Sequence, residues 1–258
     1  MEAHAQMRRT MLADLRHSIA AEEFELAYQP KVDMRTRAIT GYEALLRWRH
    51  PEQGMIMPDR FIPLAEETGL IIPLGEWVLH QACANAAQWP NHATLAVNLS
   101  PVQFTSGRLT EAVEEALSIS GLPASRLELE ITETVLLRDT DSTLATLHRL
   151  HALGVKITLD DFGTGYSSLG YLQRFPFDRI KIDKSFVQSL GERRESDAIV
   201  KSIITLCQAL HMATTAEGIE TEEQAASLLA AGCDEGQGYL FGRPQLASPW
   251  APSQADTP

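Results

Sequence analysis

Between residues 94 and 183 the chain repeats one pattern: a short run in which apolar and polar residues alternate, a stretch long enough for a helix, then another such run. Side chains on a strand point to opposite faces, so residues i and i+2 share a side. In Leu127-Glu128-Leu129-Glu130-Ile131 the aliphatic residues face one way, and Glu128 and Glu130 face the other. Val155, Ile157 and Leu159 likewise oppose Lys156, Thr158 and Asp160. Leu95, Val97 and Leu99 oppose Thr94, Ala96 and Asn98, while Ile180 and Ile182 oppose Lys181 and Asp183. In an antiparallel sheet the polar set would be the wet face. Strands joined by helical crossovers are parallel, and the helices cover their apolar side. The polar set is therefore left to line the inside of a closed sheet.

The whole pattern predicts eight strands: Phe24 to Lys31, Ile39 to Trp48, Thr94 to Leu99, Leu127 to Ile131, Val155 to Asp160, Arg179 to Ile182, Ala213 to Gly218 and Gly236 to Phe241. Segments such as Asp141 to Leu153 and Asp197 to Leu210 are long enough for crossover helices. Only Val32 to Ala38 separates the first two strands, too little for a helix, so these two pair as an antiparallel hairpin. The expectation is an α/β fold, a TIM-type (β/α)8 barrel with one antiparallel strand, β1 being reversed; a doubly wound open sheet is the rival. Residues 22–246 form this domain. Residues 1–21 read as an amphipathic helix, with Met7, Met11, Leu12, Leu15 and Ile19 near helical spacing, which suits both a helix packed on the domain and a connector from an upstream one. Residues 247–258 read as a disordered tail.

Charge narrows the function classes. Twenty-two basic against 34 acidic residues give a formal charge of -12, which disfavours duplex nucleic acid as a partner. A small phosphate ligand is compatible with it, because divalent cations held by acidic clusters supply positive charge. No apolar run is long enough for a membrane span and no secretory leader is visible, so the expected location is cytoplasmic. Cys83, Cys207 and Cys233 lack metal-ligand spacing and read as buried thiols.

At the carboxyl ends of barrel strands, where barrel enzymes place their chemistry, strand parity collects Asn98, Glu130, Asp160, Lys181 and Glu217. Carboxylates crowded into one cavity must be protonated or bind cations. Hard oxygen donors without His or Cys favour Mg2+ or Mn2+. Asp160 and Asp161, followed by Phe162-Gly163-Thr164-Gly165, could flank two metals, the arrangement used for in-line displacement at phosphorus.

These residues carry a family resemblance. Over about residues 22 to 244 the chain resembles the EAL domain, the bacterial cyclic-di-GMP phosphodiesterase. Glu43-Ala44-Leu45 is the signature tripeptide, preceded by Tyr28-Gln29-Pro30. It is followed in order by Val97-Asn98-Leu99-Ser100, Glu130-Ile131-Thr132-Glu133, Asp160-Asp161-Phe162-Gly163-Thr164-Gly165, Lys181-Ile182-Asp183, Ala216-Glu217-Gly218 and Gln237-Gly238-Tyr239. The resemblance implies metal-dependent hydrolysis of cyclic-di-GMP to linear 5'-pGpG with Mg2+ or Mn2+, two per active site. The implied metal ligands are Glu43, Asn98, Glu130, Asp160, Asp161 and Glu217. Lys181 and Glu217 are the implied catalytic residues, Lys181 beside the attacking water and Glu217 assisting proton transfer.

Substrate contacts are expected from Gln29, Arg47, Asp183 and Gln237, with Glu133 anchoring the loop that starts at Asp161. Trp48, Phe61 and Tyr166 are aromatic residues that could stack on guanine. The family pattern further implies a homodimer, and the leading helix resembles the connector that in many relatives joins an upstream GGDEF or sensory domain, with a stand-alone enzyme as the equal alternative. Relatives without the catalytic groups act as non-hydrolysing receptors or protein-interaction modules. Here every motif position for metal, lysine and loop glycine is present, which favours an enzyme.

Overall fold

The computed structural model describes residues 2–21, 23–89, 92–138, 140–163, 169–191 and 193–246. Among them are nine strands: β1 (Phe24–Asp33), β2 (Ile39–His50), β3 (Gly54–Ile56), β4 (Thr94–Leu99), β5 (Leu127–Thr132), β6 (Lys156–Phe162), β7 (Arg179–Ile182), β8 (Ala213–Ala216) and β9 (Glu235–Gln237). Strands β4 to β9 pair in parallel in chain order, and β2 is parallel to β4. Strand β1 is antiparallel to β2 and to β9, and its two pairings close the sheet. The result is an eight-stranded barrel with one reversed strand, and the open sheet is excluded because β1 joins what would be its two edges.

Strand β3 lies outside the barrel, pairing Trp48↔Ile56 on the far end of β2. Three residues are too few to show an alternation, so the sequence pattern passes over it. The last expected strand, Gly236 to Phe241, is also shorter than its pattern. It ends at Gln237, and the chain then turns over the loop following β8, with the Leu240 amide donating to the Ile219 carbonyl at 3.0 Å. The ladder cannot continue because Gly238 is pressed against Ile219, where an added Cβ would meet the Ile219 carbonyl oxygen at 2.1 Å.

Crossover helices form at Thr140–Ala152 and Arg194–Ala209, within a few residues of their predicted limits. The aliphatic strand parity packs beneath them: Leu95, Val97, Leu127, Leu129, Ile131, Ile157, Leu159, Ile180 and Ile182 are all buried in one cluster. Each such side chain contributes roughly 1.5–3 kcal/mol on leaving water. The three cysteines are free and buried, their thiols pushed up to about 12 by burial.

The first helix, Glu2–Ala20, sits on a smaller apolar cluster built from Phe24, Trp48, Ile56, Phe61, Ala65, Ile71 and Leu74. Leu15 is fully buried there, with Met11 and Ile19 packed alongside, while the Met7 side chain lies outside the described residues. His50 ties the helix to β2: its Nδ1 accepts the Glu52 and Gln53 amides, so the proton sits on Nε2, 3.3 Å from Asp14 Oδ2. Trp48 and Phe61 are both fully buried in this cluster and offer no free face to a base, so of the two readings of these aromatics, stacking surface or core anchor, the core holds. Tyr166, the third such aromatic, lies outside the described residues. No helix among the described residues is long and apolar enough to cross a membrane.

Candidate active site

The inward parity of the strands produces a layer of charge at the barrel mouth. Lys181 of β7 stands at its centre, fully buried, with Nζ 2.5 Å from Glu217 Oε1, 2.7 Å from Glu130 Oε2, 3.5 Å from Asp160 Oδ2 and 3.6 Å from Glu43 Oε2. The four carboxylates come from β2, β5, β6 and the residue after β8. Neutral amides complete the ring. Asn98 of β4 donates to Glu43 Oε1 at 2.6 Å, and Gln237 of β9 donates to Glu43 Oε2 at 2.6 Å and to Gln29 Oε1 at 3.1 Å.

Asp161 joins this layer through an irregularity. Between Leu159↔Ile180 and Phe162↔Ile182, β6 uses three steps where β7 uses two, so one extra residue bulges out of β6. Asp161 adopts φ 55° and donates its backbone N–H to Asp160 Oδ1 at 2.8 Å. Two consecutive aspartates thereby face one side, and carboxylate oxygens of Asp160, Asp161 and Glu217 lie within 4.8 Å of one another. Glu133, just after β5, accepts the Gly163 N–H at 2.9 Å and so holds the chain that leaves Asp161. Residues 164–168 of that loop lie outside the described residues.

Burial and crowding dominate the electrostatics. Burial by itself would strip Lys181 of its proton, but Asp160, Glu130, Glu217 and Glu43 together push it well above the ordinary lysine value. Burial raises Glu130 strongly, and the neighbouring Glu43 and Asp160 raise it further against the pull of Lys181. Burial also lifts Glu217, to about 7, and lifts Asp161, where Asp160 and Asp183 add to the effect. Glu43 is instead held low: Lys181 and the Gln237 and Asn98 amides outweigh its burial.

The donor set fits a hard divalent cation. Every candidate ligand is a carboxylate or an amide, and the buried oxygens Glu130 Oε1 and Gln237 Oε1 have no hydrogen-bond partner among the described residues. Of the six expected ligands, Asp160, Asp161 and Glu217 bring carboxylate oxygens within 4.8 Å of one another, while Glu43 and Glu130 stand beside them on Lys181 and Asn98 donates to Glu43.

The expected substrate residues divide. Gln29 and Gln237 line a cavity of about 400 Å³ together with Glu43, Asp160, Glu217 and the exposed Tyr239. A second hollow of about 400 Å³, with mainly apolar walls, shares Leu45 with the first and is bounded by Asn98, Ser100, Pro58 and Val78. Arg47 is buried on β2 and donates to its own neighbour's carbonyl, that of Leu46, at 2.8 Å. Asp183 is turned onto its own helix, Lys184–Gln188, whose N-terminus it caps by accepting the Ser185 N–H at 3.0 Å. It is absent from the set of carboxylates around Lys181, so its influence on the mouth runs through its charge on Asp161.

One group of inward residues was not singled out by sequence. Lys31, Glu128, Arg179 and Glu235 form a second charged layer beneath the first. Lys31 shares parity with Gln29, and Arg179 with Lys181, so the same alternation that located the mouth carried this signal one step down each strand.

Three comparisons place this site among known proteins. The chain is 46% identical over 251 residues to MucR of Pseudomonas aeruginosa, a bifunctional diguanylate cyclase/cyclic di-GMP phosphodiesterase; the match covers 96% of this chain and 37% of MucR. It is 43% identical over 241 residues to the cyclic di-GMP phosphodiesterase PA2567 of the same organism, covering 92% and 41% respectively. The chain thus spans well under half the length of these relatives. In structure it matches the PaMucR phosphodiesterase solved as a c-di-GMP complex, with a TM-score of 0.88 and 45% identity over 92% of this chain and 98% of that one. With the EAL domain pattern matching residues 12–244, the chain belongs to the EAL domain family.

Proposed function

We propose that this chain hydrolyses cyclic-di-GMP, opening one phosphodiester to give linear 5'-pGpG, with Mg2+ or Mn2+ as cofactor. The observation that carries the reading is the ring of carboxylates gathered around a buried, protonated Lys181 at the open end of the barrel. Glu43, Glu130, Asp160, Asp161 and Glu217 against Lys181 leave four formal negative charges, which two divalent cations would cancel. Bound there, such ions supply Lewis acidity toward the phosphate and lower the pKa of water.

The protein's own residues do the rest. Lys181, kept protonated by its neighbours, is a hydrogen-bond donor that orients the attacking water and offsets charge developing on the phosphate. It is not the base. Glu217, raised to about 7, exchanges a proton near neutral pH and suits proton transfer. Gln29 and Gln237 offer amides to the substrate, and the two hollows on either side of Leu45 give a two-base ligand two separate walls. The buried Arg47 is close enough to feel Glu43 and Tyr239, and would turn from the Leu46 carbonyl to meet a phosphate.

A homodimer formed beside the loop after Asp161, and an upstream GGDEF or sensory domain as the doubly named MucR suggests, belong to the same reading. The test is incubation of the chain with cyclic-di-GMP and Mg2+ or Mn2+, with a chelator control and chromatographic separation. Metal-dependent appearance of pGpG is expected. Binding without product would move the chain to the receptor class.

A further inference from the structure

The reaction proposed above uses the upper charged layer; nothing in it touches the lower one. Lys31 of β1 is fully buried, with Nζ 2.8 Å from Glu128 Oε2 and 4.0 Å from Glu130 Oε1. Glu128 Oε1 accepts the Thr158 hydroxyl and lies 3.3 Å from Arg179 Nε. Arg179 Nη1 in turn reaches Glu235 Oε2 at 2.8 Å and Thr215 Oγ1 at 2.9 Å. Two cations and two carboxylates make this layer formally neutral, and two threonines lock it.

Lys31 joins the two layers. Glu128 and Glu130 project inward from β5 only two residues apart, and their repulsion in a dry interior would be large without a cation between them. The Lys31 ammonium occupies that place. Glu130 Oε2 is taken by Lys181 from the other side at 2.7 Å, while Glu130 Oε1, on the side of Lys31, has no hydrogen-bond partner.

We propose that Lys31 is a positioning residue for the barrel mouth: pinned by Glu128, its ammonium holds the Glu130 carboxylate spread between two lysines, the orientation in which the mouth accepts a divalent cation. Without it the Glu130 carboxylate is free to turn both oxygens onto Lys181 and loses the orientation that presents it to the mouth. The inference rests on the metal reading of the site. It differs from simple charge compensation because it predicts an effect on cation affinity that is separate from folding.

The test is Mn2+ binding by the full chain, read from the paramagnetic resonance of free Mn2+, with no substrate present. The double variant Lys31→Met/Glu128→Gln removes the ion pair together, so no unpaired partner is left in the lower layer. It should keep the far-ultraviolet circular dichroism of the wild type while its Mn2+ dissociation constant rises about ten- to a hundredfold, the range found when residues that orient a metal ligand are removed. Wild-type affinity in the folded double variant overturns the role of Lys31. Should that variant fail to fold, the single variant Lys31→Met, which withdraws the ammonium and leaves Glu128 paired with Arg179 and Thr158, decides in the same way: weaker Mn2+ binding supports the inference and unchanged binding overturns it. A wild-type chain that binds no Mn2+ overturns the metal reading itself, a failure distinct from unchanged affinity in the variants.

Discussion

Lys181 Nζ lies 2.5 Å from Glu217 Oε1, joining the end of β7 to the residue just past β8 at the mouth of the barrel. Glu217 is held in that place by its own backbone, whose N–H donates to the Ile182 carbonyl at 3.1 Å. The pair brings a group whose neighbours favour its charged form against one that titrates near neutrality.

Replacing Lys181 with methionine should lower turnover of cyclic-di-GMP by about a hundredfold or more, the scale on which one preorganised hydrogen-bond donor to developing charge acts. Binding of the substrate should survive, as calorimetry would show, because Gln29, Gln237 and both hollows remain. Near-normal kcat in this variant would sink the role given to Lys181.

Cation affinity should depend on pH through Glu217. Its pKa is raised from 4.5 to about 7, so within that window the folded chain holds a proton that the unfolded chain has released. The metal-free protein therefore loses stability as pH rises from about 4.5 to about 7. A cation has to displace the same proton, so Mn2+ affinity should climb by up to tenfold per pH unit below about 7 and level off above it. Titrations across this range would show a flattened profile for Glu217→Gln.

The lower layer gives the opposite dependence in a different window. Burial opposes the ionisation of Glu128, yet Lys31 and Arg179 hold it at about 2. This stabilisation is complete above the ordinary value of 4.5 and is lost as pH falls toward about 2. Urea unfolding at a series of acidic pH values should show the loss.

Chelation should stop product formation, and Mg2+ or Mn2+ should restore it. Binding should also register in the fold: at a metal concentration one hundred times the dissociation constant, linkage stabilises the native state by about 2.7 kcal/mol. An unchanged melting temperature on adding Mn2+ would contradict a site built from these carboxylates.

Gly238→Ala should damage fold and site together. The new Cβ would come within 2.1 Å of the Ile219 carbonyl oxygen and 2.3 Å of its nitrogen, backbone atoms that cannot step aside. Gln237, the adjacent residue, is the amide that donates to Glu43. A lower melting temperature and a reduced kcat should appear in the same variant.

Much of this site is written in local patterns. The alternation in Leu127 to Ile131 set Glu128 and Glu130 on one face, and the same parity found Asn98, Asp160 and Lys181 before any strand was placed in space. Asp161 was harder. Strict alternation sends it outward, and it enters the mouth only because β6 bulges against β7 and its own backbone takes φ 55°. Trp48 and Phe61 are ambiguous in sequence, stacking surface or core anchor, and their burial under the first helix decides for the core.

What the sequence determined by itself is whatever depends on the period of a strand and the length of a connection: the number of barrel strands, the reversed hairpin, and the inward or outward face of each residue. These follow from backbone geometry common to all chains. The tertiary structure decided which inward residues meet. That Lys31 would stand between Glu128 and Glu130, or that Gln237 would share hydrogen bonds with Glu43 and Gln29 across 194 and 208 residues of chain, depends on closure of the barrel between β1 and β9. Such contacts are set by the stagger of strands far apart in the chain, which local alternation does not encode.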